Sequence, residues 1–159
     1  VMTSTDLAPF SGNTLLQGSA AGRMAKASTP TRDTMESSLE IERQIRELAR
    51  DFAERELRPN AAEWDRQGEL PRRVVDQLAE LGFLGMLIPE VFDGLGITAA
   101  AYVAAVEEIA WGDPSVAVAM SVHNSLPTQM ILAHGTTEQK ERWLKRMARG
   151  EMLGAFALS

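Results

Sequence analysis

The chain has 159 residues, and 16 Lys+Arg against 22 Asp+Glu leave a net charge of −6. No basic stripe accompanies that balance, which argues against a nucleic-acid partner. Zero cysteines exclude a disulfide framework, a thiolate metal site and a cysteine nucleophile.

Residues 1–38 are rich in Ser, Thr, Ala and Gly, and their apolar residues follow no period. The expectation is a disordered or non-native tail, much of it upstream reading frame, with Met24 and Met35 as later starts. Asp6, Asp33 and Glu36 argue against a transit peptide. Folding is expected from Leu39, where Ile41, Ile45, Leu48 and Phe52 form one helical stripe. Arg58-Pro59 breaks or kinks that helix.

Leu70-Pro71 opens a second helix with a stripe of Val74, Val75, Leu78 and Leu81, and Gly82 is its left-handed stop. Phe83 to Gly96, with Gly85, Pro89 and Gly94, reads as a loop packed against the core. Thr98 caps a third helix, Ala99 to Trp111, whose only charges are Glu107 and Glu108. A helix so apolar is expected at the centre of the fold. Sequence neighbours point about 100° apart on a helix, so the two carboxylates are expected as separate surface charges.

Asp113 and Pro114 cap and start a fourth helix, interrupted at His123-Asn124-Ser125-Leu126-Pro127. From Pro114 to Thr137 there is no formal charge. A spanning helix needs about twenty nearly unbroken apolar residues, so this interrupted stretch reads as buried core and not as a membrane span. Thr136 and Gln139 have capping-box spacing and open a last helix with Trp143, Leu144 and Met147 on one face. The fold class is therefore all-α, a bundle of about five or six helices over 39–150. Residues 151–159 are expected to begin a further domain with a β-strand. In it Phe156 and Leu158 face one way, and Ala155, Ala157 and Ser159 the other.

The chemistry-bearing residues are few. There is no Gly-x-Ser-x-Gly, no His-Glu-x-x-His and no phosphate loop ending in Lys. His134, at a helix end, reads as structural, and His123 as a polar group satisfying the backbone freed at the break. Val118, Met120 and Val122 are either plain core or the lining of an apolar slot beside that break, and periodicity leaves both open.

Six segments in this order resemble the N-terminal part of a flavin-dependent acyl-CoA dehydrogenase. They are Glu56-Leu57-Arg58-Pro59, Leu81-Gly82-Phe83-Leu84-Gly85-Met86, and Ile88-Pro89-Glu90 with Gly94-Leu95-Gly96. Then come Ser121-Val122-His123-Asn124-Ser125-Leu126, Gly135-Thr136-Thr137-Glu138-Gln139-Lys140, and Gly154-Ala155-Phe156-Ala157-Leu158-Ser159. The wording is most similar to short-chain and branched-chain members. Val91-Phe92-Asp93-Gly94 departs from the common Glu-Tyr-Gly-Gly, and His123 stands where Asn or Gly is common.

The resemblance implies an FAD enzyme that dehydrogenates acyl-CoA at the α,β bond and passes electrons to an electron-transfer flavoprotein. It implies a homo-oligomer at full length and a cytoplasmic location, or the mitochondrial matrix in a eukaryote. It implies flavin contacts at Phe156, Leu158 and Ser159. Val118, Val122 and Leu126 match positions at the bottom of the acyl pocket, where bulk implies a short or branched acyl group. The family's catalytic base and adenosine site have no counterpart in these residues, so the chain alone is expected to be inactive. Two alternatives stay open: a non-catalytic helical interaction module, and an acyl-CoA oxidase-type flavoenzyme.

Overall fold

The computed structural model describes residues 32–157. The tail expected over 1–38 falls largely outside these residues, as do Leu158 and Ser159. Seven α-helices make up the described part: α1 Arg32–Phe52, α2 Ala61–Gln67, α3 Arg72–Glu80, α4 Ala99–Gly112, α5 Pro114–Ser125, α6 Pro127–His134 and α7 Thr137–Ala148. Helix α1 starts ahead of Leu39; an exposed Arg32–Glu36 pair at i,i+4 supports its first turns.

The strand expected over 151–159 lies partly outside the described residues, and its described part, to Ala157, is not paired as a strand. Among the described residues there is no strand, and Leu153–Ala157 runs without a ladder partner. A strand exists only as one member of a hydrogen-bonded pair, and the described residues offer no second extended segment.

The local signals act as the sequence suggests. Thr98 Oγ1 accepts from the Ala101 amide, Asp113 Oδ1 from the Ser115 and Val116 amides, and Thr136 with Gln139 completes a capping box. Gly82, at φ +80°, ends α3: its amide donates to Ala79 O, and the Phe83 amide to Leu78 O. Gly150, at φ +70°, ends α7 with the same pair of bonds, to Met147 O and Arg146 O. Pro71 sits in the cap position of α3, one residue before the helix proper. Pro59 does not simply break α1. The chain first widens into a π-helical turn, Ala53–Leu57, closed by the Arg58 amide on Ala53 O. Asn60 Nδ2 then donates to Glu56 O, satisfying a carbonyl near the proline.

Helix α4 is central, as its uniform apolarity requires, and packs on α1, on the π-helical turn and on α5. The face that α1 buries keeps Phe52 and Ile45 of the expected stripe and departs from it at Ile41 and Leu48. Ala49, Phe52 and Ala53 are buried, whereas Ile41 and Leu48 are exposed. Small side chains let α4 approach closely: a Cβ on Gly112 would lie 2.8 Å from Ala53 Cβ and 3.0 Å from Leu57 Cβ. The packed loop between α3 and α4 behaves as expected, with Phe83, Leu84, Met86 and Ile88 buried.

Glu107 and Glu108 do not behave as separate surface charges. Glu108 is buried, and Arg46 Nη1 lies 3.0 Å from Glu107 Oε2 and 3.1 Å from Glu108 Oε1. Arg50 Nε adds a 2.8 Å contact to Glu108 Oε2. The 100° argument concerns one isolated helix; a guanidinium from the neighbouring α1 is wide enough to bridge both carboxylates. Arg50 and Arg58 also lie against the Trp111 ring, their guanidinium carbons 4.3 Å and 4.2 Å from its centre.

Two substitutions probe this interface. Gly112→Val is expected to destabilise the fold by about 1–3 kcal/mol through overpacking, read as a lowered urea midpoint; an unchanged midpoint would contradict the close approach. Glu108→Gln is expected to lower the midpoint more than Glu107→Gln, because the Glu108 carboxylate is buried against two arginines whereas Glu107 is exposed. Equal effects would mean that burial of Glu108 has no energetic consequence.

Candidate functional site

The site is built around the interruption between α5 and α6. A helix that stops inside a protein leaves carbonyls and amides without partners, and side chains take them up here. Asn124 is fully buried; its Nδ2 donates to Phe83 O at 2.8 Å and to Met120 O at 3.1 Å. Thr128 Oγ1 donates to His123 O at 2.6 Å, and Ser125 Oγ to Ser121 O at 2.7 Å. Thr128 thus takes up a carbonyl freed at the break, whereas the His123 side chain, expected in that role, is engaged elsewhere.

His123 reaches further. It is fully buried, and its Nδ1 accepts from the Gly154 amide at 3.0 Å. Burial pushes its pKa below 6.5, against a smaller opposing effect of the Met147 and Leu84 main chain. His134, by contrast, is exposed at the end of α6. Among the described residues no group of His, Cys, Asp or Glu side chains is arranged to hold a metal ion.

The segment after α7 is placed by several contacts. Arg72 Nη2 donates to Gly150 O at 2.8 Å, and a Cβ on Gly150 would meet Ala79 Cβ at 2.5 Å. Beyond Gly154, Ala155, Phe156 and Ala157 are exposed. Their backbone groups carry no hydrogen bond among the described residues.

Beneath this segment lies an apolar cavity of about 310 Å³. Its walls are Leu70, Val75, Leu78 and Leu84 on one side and Ala119, Met120 and Val122 of α5 on another, with Leu153, Gly154 and Ala155 at the edge. No carboxylate, amine or imidazole lines it. A larger cleft of about 610 Å³ is lined by Trp64, Asp65, Glu69 and Asp113 among others. Asp113 already serves there as the cap of α5, and none of the sequence-predicted site residues lines that cleft.

Of the predicted acyl-pocket residues, Val122 lines the apolar cavity, while Val118 and Leu126 are exposed at 62% and 42% and do not. The two valines are i,i+4 on α5, but the cavity is lined there by Ala119, Met120 and Val122 and not by Val118. Met120 is fully buried and lines it, so core and slot are the same place for this residue. Of the predicted flavin contacts, Phe156 is 46% exposed on the terminal segment, and Leu158 and Ser159 lie outside the described residues. Sequence reasoning missed Leu70, Val75, Leu78, Leu84 and Ala119. The α3 stripe was visible as apolar, but nothing in it distinguished a cavity wall from filled core.

The segment offers exposed, unpaired backbone donors and acceptors beside the small residues Gly154, Ala155 and Ala157, the chemistry that a planar heteroaromatic ring would meet.

Comparison with known proteins gives a consistent picture. The family model "Acyl-CoA dehydrogenase, N-terminal domain" matches residues 40–151. The bovine (Bos taurus) mitochondrial short-chain specific acyl-CoA dehydrogenase is 43% identical over 120 residues, 76% of this chain and 29% of that protein. A chain from the structure of the electron transferring flavoprotein of Acidaminococcus fermentans superposes with a TM-score of 0.69 at 33% identity, covering 72% of this chain and 30% of that one. A glutaryl-CoA dehydrogenase from Mycobacterium smegmatis, in complex with FADH2, gives a TM-score of 0.67 at 30% identity, covering 76% and 32%. The chain thus spans less than a third of the length of each of these three proteins.

The cavity itself is testable by stability alone. Ala119→Leu, which projects into open space, is expected to change the unfolding free energy by less than about 1.5 kcal/mol. Ala117→Leu, in packed core on the same helix, is expected to cost about 1–3 kcal/mol. Thermal unfolding of both variants checks this, and equal destabilisation would mean that the cavity is filled.

Proposed function

The chain belongs to the acyl-CoA dehydrogenase family through its N-terminal domain, and from that membership we propose that it supplies the helical domain of an FAD enzyme that dehydrogenates acyl-CoA thioesters at the α,β bond. The observation that carries this reading is the apolar cavity closed by Val122 and by the segment Leu153–Ala155. A site for an acyl chain must be apolar, and it must open toward the place where the ring of the oxidant rests. Here the same few residues form the edge of the cavity and lead into the ring-facing segment.

When bound, the flavin supplies the acceptor for the hydride. The chain's own residues bind and orient. Met120, Val122, Leu78 and Leu84 hold the acyl tail and exclude water from it. Phe156, with the Leu158 backbone and the Ser159 hydroxyl, holds the ring. With no carboxylate at the cavity, these residues do not take the α-proton; that step needs a base which the cavity lacks. The 159-residue chain by itself is accordingly inactive in this proposal.

Size supports a short or branched acyl group. Ligand pockets run from about 300 to 1,000 Å³, and about 310 Å³ lies at the lower end. The similarity to a short-chain specific enzyme points the same way. An electron-transfer flavoprotein as redox partner and a homo-oligomer at full length complete the proposal. No helix of the described residues is long and apolar enough to cross a membrane, which agrees with a cytoplasmic or mitochondrial-matrix enzyme.

The test uses the longest native protein that carries this domain. Purified, it is expected to be yellow, and its flavin absorbance to bleach with short or branched acyl-CoA. In Val122→Phe the accepted chain length is expected to fall further. A colourless, stable protein would sink the enzyme reading and favour the interaction module. Bleaching by long-chain acyl-CoA alone would overturn the substrate assignment.

A further inference from the structure

His123 contacts a part of the chain that its role at the helix break does not require. Gly154 donates its amide proton to His123 Nδ1 at 3.0 Å. A ring nitrogen that accepts carries no proton, so the neutral ring holds its proton on Nε2. That nitrogen is buried without a hydrogen-bond partner among the described residues. A Cβ on Gly154 would lie 2.5 Å from Pro127 Cγ and 2.7 Å from Met147 Cε. The Gly154 amide is thus walled by α6 and α7 and tied to α5 by one bond, while its neighbours Leu153 and Ala155 line the apolar cavity.

We infer that His123 is a positioning residue that holds Leu153–Ala157 at the edge of the apolar cavity by accepting the Gly154 amide proton. For what the segment presents to a ligand, this rests on the function proposed above; the latch itself does not.

The chemistry makes the latch conditional on charge. Protonated at Nδ1, the imidazole has a donor where the acceptor was, and two N–H groups then oppose each other. The groups facing the ring are main chain: Leu84 from the packed loop, Met147 from α7 and Gly154 from the terminal segment, with Pro127 from α6 alongside. No charged side chain contributes to its environment. Because burial lowers the folded-state pKa, the ring is neutral and the bond fully present above 6.5. The bond is lost as the pH falls through the lower folded-state value.

The experiment is amide hydrogen exchange by NMR on the 159-residue chain, corrected for intrinsic exchange, with the His123 ring followed in parallel. At neutral pH the ring nitrogens should report the Nε2–H tautomer. Protection of the Gly154 amide is expected to fall about tenfold as the ring titrates, while the Leu144 amide, deep in α7, keeps its protection. His123→Asn restores a carbonyl acceptor, and its Gly154 protection is expected to be independent of pH. His123→Leu is expected to lose about tenfold at every pH. Should that variant fail to fold, the wild-type titration and His123→Asn still decide. An Nδ1–H tautomer, or Gly154 protection that stays constant through the titration, would overturn the assignment. None of these readouts involves flavin or acyl-CoA, so they can fail or succeed independently of the proposed enzyme activity.

Discussion

A helix that stops within the protein core must have its freed backbone groups satisfied, and the interruption at Leu126 organises the rest of this molecule. Burying an amide or carbonyl without a partner costs about 1–3 kcal/mol, so the polar residues there are constrained in place and rotamer. Asn124 beside the break donates to Met120 O of its own helix and to Phe83 O, which joins α5 to the packed loop. Thr128 closes the break from the α6 side. His123 extends the same network to the segment beyond α7. Three elements far apart in sequence are thereby fixed around one point, and the apolar cavity is the space enclosed between them.

The other half of the domain is held by closeness and not by polarity. Helix α4 carries Ala101, Ala104, Ala105 and Gly112 where it is buried, answered by Ala49 of α1 and Ala53 of the π-helical turn. Small residues let two backbones approach, and dispersion then acts over many atom pairs. The π-helical turn belongs to this contact, since Gly112 packs against Ala53 and Leu57 within it. The Arg46–Glu108–Arg50 network closes one edge of the interface, where a buried carboxylate demands opposite charge.

These two regions divide the work of the domain. The α1–α4 contact is rigid scaffold, and no residue of the apolar cavity comes from either helix. The cavity is formed instead by α3, the packed loop, α5 and the terminal segment. The one buried imidazole, His123 of α5, meets the terminal segment at Gly154, away from the α1–α4 contact.

Much of the local structure was legible in the residues themselves. Thr98, Asp113 and the Thr136–Gln139 pair cap helices, and Gly82 stops one, because capping and left-handed φ are properties of a few neighbouring atoms. The all-helical class and the central place of α4 followed from apolar pattern alone. The family resemblance also lay in short ordered segments. What the sequence could not determine depends on neighbours supplied by distant parts of the chain. Periodicity offered Leu48 as readily as Ala49, and only the approach of α4 selects the smaller residue for burial. Glu107 and Glu108 diverge on their own helix and meet only through Arg46 of another. Val122 lines a cavity and Val118 does not, because the surfaces brought against α5 cover Ala119, Met120 and Val122 and leave Val118 exposed. A capping bond is written within four residues of sequence, whereas a cavity is a gap between surfaces, and it has no position in the chain until the surfaces are brought together.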